Sequence, residues 1–329
     1  MKRILRLAIF VLIAFLMVRA TTIGWRFWSK QMRSAVIEDT TLAQTLKEHV
    51  RVLSHEIGDR SVFSYEALQQ AEGYIVNQLT SFGYNVEFQP YSVYGKNVRN
   101  IIVTKEGIEK PEEIVVVGAH YDTCGNPGAD DNASAIAGLL ELARSALDAE
   151  NKRTLQFIAF VNEEPPFFMT DDMGSRVYTK KAKEQGKDIK AALILEMIGY
   201  YNDASFSQRY PPLFGFFYPN KANFICVVGD FNSRWLAKDI VSRFKRISAF
   251  PIESIVTFRA VPGVEFSDHW SFWQEGYPAV MITDTAFYRY PHYHSPLDTY
   301  EKLDYDSMAE VVTGLQSTVV TLANKQLYN

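Results

Sequence analysis

The chain has 329 residues, of which 47% are hydrophobic and 22% charged, and its formal net charge is −4. This is the composition of a globular protein long enough to bury a large core without disulfide staples. It holds no basic run to track a phosphate backbone, which argues against nucleic acid as a partner. The only two cysteines, Cys124 and Cys226, are too few for a Cys-rich zinc module. In an oxidising compartment they could form one bridge.

The N-terminus carries a basic start, Lys2, Arg3 and Arg6, followed by an unbroken apolar run from Leu7 to Val18. That run is shorter than the ~20 residues of a membrane span and has the length of a secretory core. Val18-Arg19-Ala20 resembles a small-residue cleavage site, with Arg19 as an awkward intruder. An uncleaved anchor extended by Ile23 to Trp28 is the competing reading. Residues 1–30 are therefore expected to be a signal peptide or N-terminal membrane anchor, and residues 31–329 a catalytic domain exported to the periplasm or the exterior. Any membrane contact would run through this segment alone.

From about Ala35 to Ile57 the apolar residues Leu42, Leu46, Val50, Leu53 and Ile57 fall on one helical stripe, which Gly58 ends. Tyr65 to Phe82 repeats the pattern through Leu68, Ala71, Ile75 and Leu79, closed by Gly83. Val86 and Phe88 alternate with polar residues as a half-wet strand does, and Val98 to Val103 reads as its partner. Ile114 to Ala119 is apolar on both faces, as in a central strand covered by helices. A helix is expected from Asn132 to Leu147, a strand from Leu155 to Val161, a helix around Gly174 to Lys183, and a strand from Ala192 to Ile198. A strand from Phe224 to Gly229 precedes a helix ending at Ile247, with Ser233 as its expected cap. A strand from Pro278 to Thr283 and a helix from Tyr305 to Leu322 close the chain. The alternation predicts an α/β three-layer sandwich, a largely parallel mixed sheet with helices on both faces. Two irregular aromatic-rich stretches, Tyr200 to Asn223 and Ile252 to Gly276, read as cleft walls.

Ligands of open parallel sheets bind at the carboxyl ends of the strands. Here those ends carry His120-Tyr121-Asp122, Asn162-Glu163-Glu164, Glu196, and a loop with His292 and His294, while Asp130-Asp131-Asn132 opens a helix. Carboxylates and histidines from separate strand ends, without cysteine, form an oxygen and nitrogen ligand set that suits zinc and tolerates manganese or cobalt. So many carboxylates in one cleft repel one another unless a cation neutralises them. His120 and Asp122 are two apart and face one way on extended backbone, so Asp122 can accept the second ring N–H of His120 and fix its tautomer.

GAHYDT at 118–123, GADDNASA at 128–135, VNEE at 161–164, LEMIG at 195–199 and YHSPLDT at 293–299 resemble, in order and spacing, the motifs of the co-catalytic zinc aminopeptidases of metallopeptidase clan MH, of the bacterial secreted type. The likeness runs from about Leu42 to the C-terminus. It implies two zinc ions per chain and a peptide substrate. His120 and Glu164 would each hold one ion, Asp130 would bridge them, Glu196 would join one and His294 the other. Glu163 would be the general base, and Tyr293 would steady the tetrahedral oxyanion. Glu196 departs from the pattern, because the third strand of these enzymes usually supplies Asp. Two rivals share the fold: a one-zinc glutaminyl cyclase, which Asp131 disfavours, and a non-catalytic ectodomain, which would show gaps in the ligand set. The sequence sets no oligomeric state.

Overall fold

A computed structural model describes residues 40–324 of the chain, so the expected signal or anchor segment lies outside the described residues. The first helix, α1 (Thr40–Arg51), continues through a wider helical turn, Val52–Ile57. Its stripe of Leu42, Leu46, Val50 and Leu53 is buried. Helix α2 (Tyr65–Phe82) ends where Gly83 adopts φ 108° and its N–H reaches the carbonyls of Leu79 and Thr80. An antiparallel hairpin follows, β1 (Val86–Val93) and β2 (Lys96–Lys105). Strand β3 (Lys110–His120) leads through a loop and a wide turn at Ala129–Ser134 into helix α3 (Ala135–Ala146). The helix begins three residues later than its apolar pattern suggests, because Asp131 and Asn132 hold non-helical backbone angles.

Strand β4 (Arg153–Phe160) is buried along its whole length. Helix α4 (Gly174–Glu184) and strand β5 (Asp188–Glu196) follow. The rest comprises β6 (Ile225–Gly229), α5 (Arg234–Ile247), β7 (Ile252–Val256), α6 (His269–Gln274), β8 (Ala279–Thr283) and α7 (Tyr305–Asn324). The eight strands make one sheet in the order β1-β2-β4-β3-β5-β8-β6-β7. It is an α/β fold with a mixed sheet. Val115 and Val117 of β3 pack with α1, α2, α3, α5 and α7 on one face, while Ile114 and Val116 pack with α4 and α6 on the other. This two-sided burial explains why β3 and β4 lack polar alternation.

Strands β4, β3, β5 and β8 run parallel, with His120 beside Phe160 and Glu196 beside Thr283. Their carboxyl ends therefore line up along one edge. Strands β6 and β7 run the other way, so Cys226 at the start of β6 lies beside Thr283 at the end of β8.

Two local expectations are corrected, and the open question of a disulfide is answered. The stretch from Ile252 to Gly276 is less irregular than its composition suggests, since β7 and α6 lie in it; both are too short for periodicity to register. Ser233 makes no side-chain cap. Its hydroxyl instead accepts the indole N–H of Trp273 and the backbone N–H of Ala279, a tertiary demand that outweighs the local one. Cys124 and Cys226 are unbonded: Cys226 is sealed in the core of β6, and Cys124 sits in the loop after β3. Among the described residues no helix is long and apolar enough to cross a membrane.

Candidate metal centre

Strand β3 delivers His120 in extended backbone at its last position, wholly buried. Its Nδ1 lies 3.2 Å from the carbonyl oxygen of Asp122 and 3.5 Å from that residue's Oδ1. The ring therefore turns Nε2 the other way, toward three carboxylates. Nε2 is 3.3 Å from Oε2 of Glu196, 3.4 Å from Oδ1 of Asp131 and 3.8 Å from Oε2 of Glu163. Asp122 also accepts the backbone N–H groups of Glu163 (3.0 Å) and Glu164 (3.1 Å), which splices the end of β3 to the residues after β4. Glu196, the last residue of β5, is held by the hydroxyl of Ser267 at 2.7 Å and by the amide of Asn132 at 3.4 Å. These contacts seat the longer glutamate where the resemblance anticipates aspartate.

His294 enters from the loop after β8. Its Nε2 is 3.2 Å from Oδ2 of Asp131 and 3.3 Å from Oε2 of Glu164. The ring of Tyr293 stacks on it with centroids 3.9 Å apart. Asp131 thus presents one oxygen to each histidine.

Asp130 corrects the sequence expectation for the bridging carboxylate. Its side chain turns away from both histidines, accepts the N–H of Gly199 at 2.9 Å and faces the buried Asp284. The Asp-Asp pair was legible in the sequence, but which member faces the cleft is decided by backbone angles that no pattern of residue types encodes. Asp131 holds φ −102° and ψ 85°, and the carboxylate of Asp298 fixes the turn by accepting the N–H groups of Asp130 (2.9 Å) and Asp131 (3.2 Å). Gly128 before it has φ 58°, and a Cβ there would meet the Asp131 carbonyl at 2.3 Å, so the turn requires glycine.

Other positioning residues escaped sequence reasoning. The guanidinium of Arg60 is fully buried and donates to the carbonyls of Tyr121, Pro127 and Gly128, tying together both ends of the loop between His120 and Asp131. Asp298 lies in the YHSPLDT stretch, so a signal was present there, but nothing in it specified backbone amides as its partners.

The model of peptidase family M28 matches residues 100–319, a stretch that holds every residue of the cluster. The chain belongs to peptidase family M28. The M28 chain is also similar to YfbL, an uncharacterized protein of Escherichia coli (strain K12), at 38% identity over 296 residues, 87% of this chain and 88% of that one. A probable leucine aminopeptidase of Trichophyton verrucosum (strain HKI 0517) is 32% identical over 229 residues, 64% of this chain; the M28 chain spans only 54% of that protein's length. In fold it matches the zinc aminopeptidase BSAP of Bacillus subtilis with a TM-score of 0.70 at 15% identity, over 87% of this chain and 96% of that one. This M28 chain is a metallopeptidase.

The electrostatics of the M28 site ask for a cation. Burial raises Glu163 well above the carboxylate range, opposed by His120 and reinforced by Glu196 and Glu164. Burial, then the charge of Asp131, raises Glu164 to about 7 against the pull of His294. Burial also raises Glu196. It would raise Asp131 too, but the neighbouring imidazoles of His120 and His294 hold that group below the usual range. Burial would lower both histidines, yet the surrounding carboxylates raise His120 well above its ordinary value and His294 to about 10. Nε2 of His120 and Oε1 of Glu164 are buried without any hydrogen-bond partner, an omission costing roughly 1–3 kcal/mol for each group. A divalent cation would satisfy both, and the imidazole and carboxylate donors suit zinc.

An apolar cavity of about 680 Å³, its open mouth included, adjoins the cluster at Glu196 and Tyr293. Val228, Ile255, Val261 and Met281 also line it, with Tyr210 and Phe214 from the first irregular stretch.

Proposed function

We propose that the chain is a zinc-dependent aminopeptidase that releases bulky apolar N-terminal residues from peptides. Two ion positions are proposed. His120, Glu196 and one oxygen of Asp131 would hold the first, and His294, Glu164 and the other oxygen of Asp131 the second. The observation that carries this reading is the single carboxylate of Asp131 standing between two imidazoles, each of which has a further carboxylate beside it. Bound zinc supplies Lewis-acid polarisation of the scissile carbonyl and acidifies water toward neutrality.

The protein's own groups do the rest. Glu163 lies near the cluster without being pinned between histidine and ligand oxygen, and its raised affinity for protons suits a general base that passes a proton to the leaving amine. Tyr293 keeps its phenolic proton, because burial and the neighbouring carboxylates of Asp131 and Glu164 raise it further; it can therefore donate to a developing oxyanion. Glu163 and Glu196 are the acids available to a free α-amino group. The apolar cavity beside Glu196 and Tyr293 would take the side chain of that first residue, contributing about 25 cal/mol per Å² of apolar surface removed from water.

Export of the chain, by a cleaved signal or on an N-terminal anchor in residues 1–30, belongs to the same proposal. Asp39–Asn329 cluster as one compact unit, so a protein beginning at Ile37 should fold and act in solution.

The test is digestion of paired peptides with free and acetylated N-termini. Stepwise release of leucine, phenylalanine or methionine from the free peptides alone supports the proposal. Cleavage of the acetylated peptides, or conversion of N-terminal glutamine to a cyclic product without peptide cleavage, would overturn it.

A further inference from the structure

The function proposed above leaves one group at the cluster unused. Cys124 lies in the loop after β3, half-buried and unbonded. It lines a second cavity together with Asp122, Asn162 and Glu164. Its Sγ, a carboxylate oxygen of Glu164 and a ring nitrogen of His294 all lie within 4.8 Å of one another. A second observation points to a ligand at the same place. Glu164 is 4% exposed, and its Oε1 has no hydrogen-bond partner. The charged groups that act on the thiol are the carboxylates of Glu164, Asp131, Asp122 and Asp59. A thiol beside an unpartnered buried carboxylate and an imidazole makes a three-donor set with the composition of a zinc site.

We infer that the Cys124 thiolate is a ligand of the metal ion held by Glu164 and His294. The inference rests on the metallopeptidase reading and deepens it. Binding breaks the S–H bond, the proton leaves to solvent, and a sulfur-to-metal bond forms, with no change of oxidation state. A thiolate at this position makes the two ion positions unlike. The one with His120 and Glu196 has oxygen and nitrogen donors alone and can accept manganese, whereas the one with Cys124 selects zinc or cobalt.

The experiment is stripping of the whole protein with a chelator and titration with cobalt(II), followed by absorption spectroscopy. The wild type should develop a thiolate-to-cobalt charge-transfer band in the near ultraviolet. Cys124→Ser should lose that band, and its weaker ion should bind zinc less tightly by at least the roughly 10–100-fold that loss of an outer partner already costs. A second measurement needs no variant: zinc should protect one thiol of the wild type from a disulfide reagent, and the chelator should expose it again. Cobalt bound in the expected amount without the band, or thiol labelling that zinc leaves unchanged, would overturn the inference while leaving the peptidase reading intact. Failure to bind either metal would overturn both.

Discussion

Oδ2 of Asp131 lies 3.2 Å from Nε2 of His294. The other oxygen of the same carboxylate reaches His120 at 3.4 Å, so this one side chain spans the cluster. Asp131→Asn should therefore weaken both ion positions together, and metal analysis after dialysis should find little zinc. Asp130→Asn should behave differently. Burial and the charge of Asp284 raise Asp130 well above the carboxylate range, and an amide imitates the neutral carboxyl and can still accept the N–H of Gly199. It should keep near-normal zinc. Zinc retained in Asp131→Asn but lost in Asp130→Asn would reverse the assignment.

Neighbouring glutamates should give opposite signatures. Glu163→Gln keeps size and hydrogen bonding but cannot accept a proton, so kcat should fall by about 10²–10⁴-fold with zinc content unchanged. Glu164→Gln removes a charged donor from the His294 side, so zinc affinity itself should drop. A general loss of stability would move both variants alike. Near-normal turnover by Glu163→Gln would remove it as the base.

Zinc uptake should depend on pH with a definite sign. Burial alone would lower His294, but hydrogen bonds to Asp131 and Glu164 raise it from 6.5 to about 10 in the metal-free protein. A raised histidine stabilises the metal-free fold fully below 6.5 and loses that contribution as pH climbs through its folded value. Over the same window zinc must displace the proton, so affinity should rise with pH. Calorimetry in buffers of different ionisation enthalpy should record protons released on binding. Affinity that is flat between 6.5 and about 10 would contradict the assignment.

The architecture was legible because β3 and β4 are buried on both faces and therefore spell themselves as apolar runs, while the helices that cover them keep their stripes. His120, Glu163, Glu164 and Glu196 stood out in the sequence for a related reason, since they are polar residues at or just beyond the ends of buried strands, whereas His294 lies in a loop after β8. Choosing between Asp130 and Asp131 needed φ and ψ at one turn. The short β7 and α6 hold too few residues for a period to show. Ser233 followed its tertiary partners, Trp273 and Ala279, over the local capping role. Arg60 and Asp298 act on backbone groups distant in sequence, which residue types alone do not announce.

The apolar cavity makes a prediction about selectivity. Val261→Trp should fill part of the cavity that Val261 lines, and Val261 is none of the proposed ligands. Overpacking of this kind costs about 1–3 kcal/mol where a large side chain must fit. Release of N-terminal leucine and phenylalanine should fall by about tenfold or more in kcat/KM on that scale, while release of alanine changes little. An equal loss for all three residues would place the side-chain site elsewhere.

The central claim is that zinc at the Asp131 cluster drives removal of N-terminal residues. Its most direct test is one preparation assayed twice, for zinc per chain and for residues released from a mixed peptide library, before and after chelation and again after zinc is restored. The account predicts about two zinc equivalents, release confined to free N-termini, loss of both with the chelator, and recovery of both together. A zinc-free preparation that still releases N-terminal residues would contradict it.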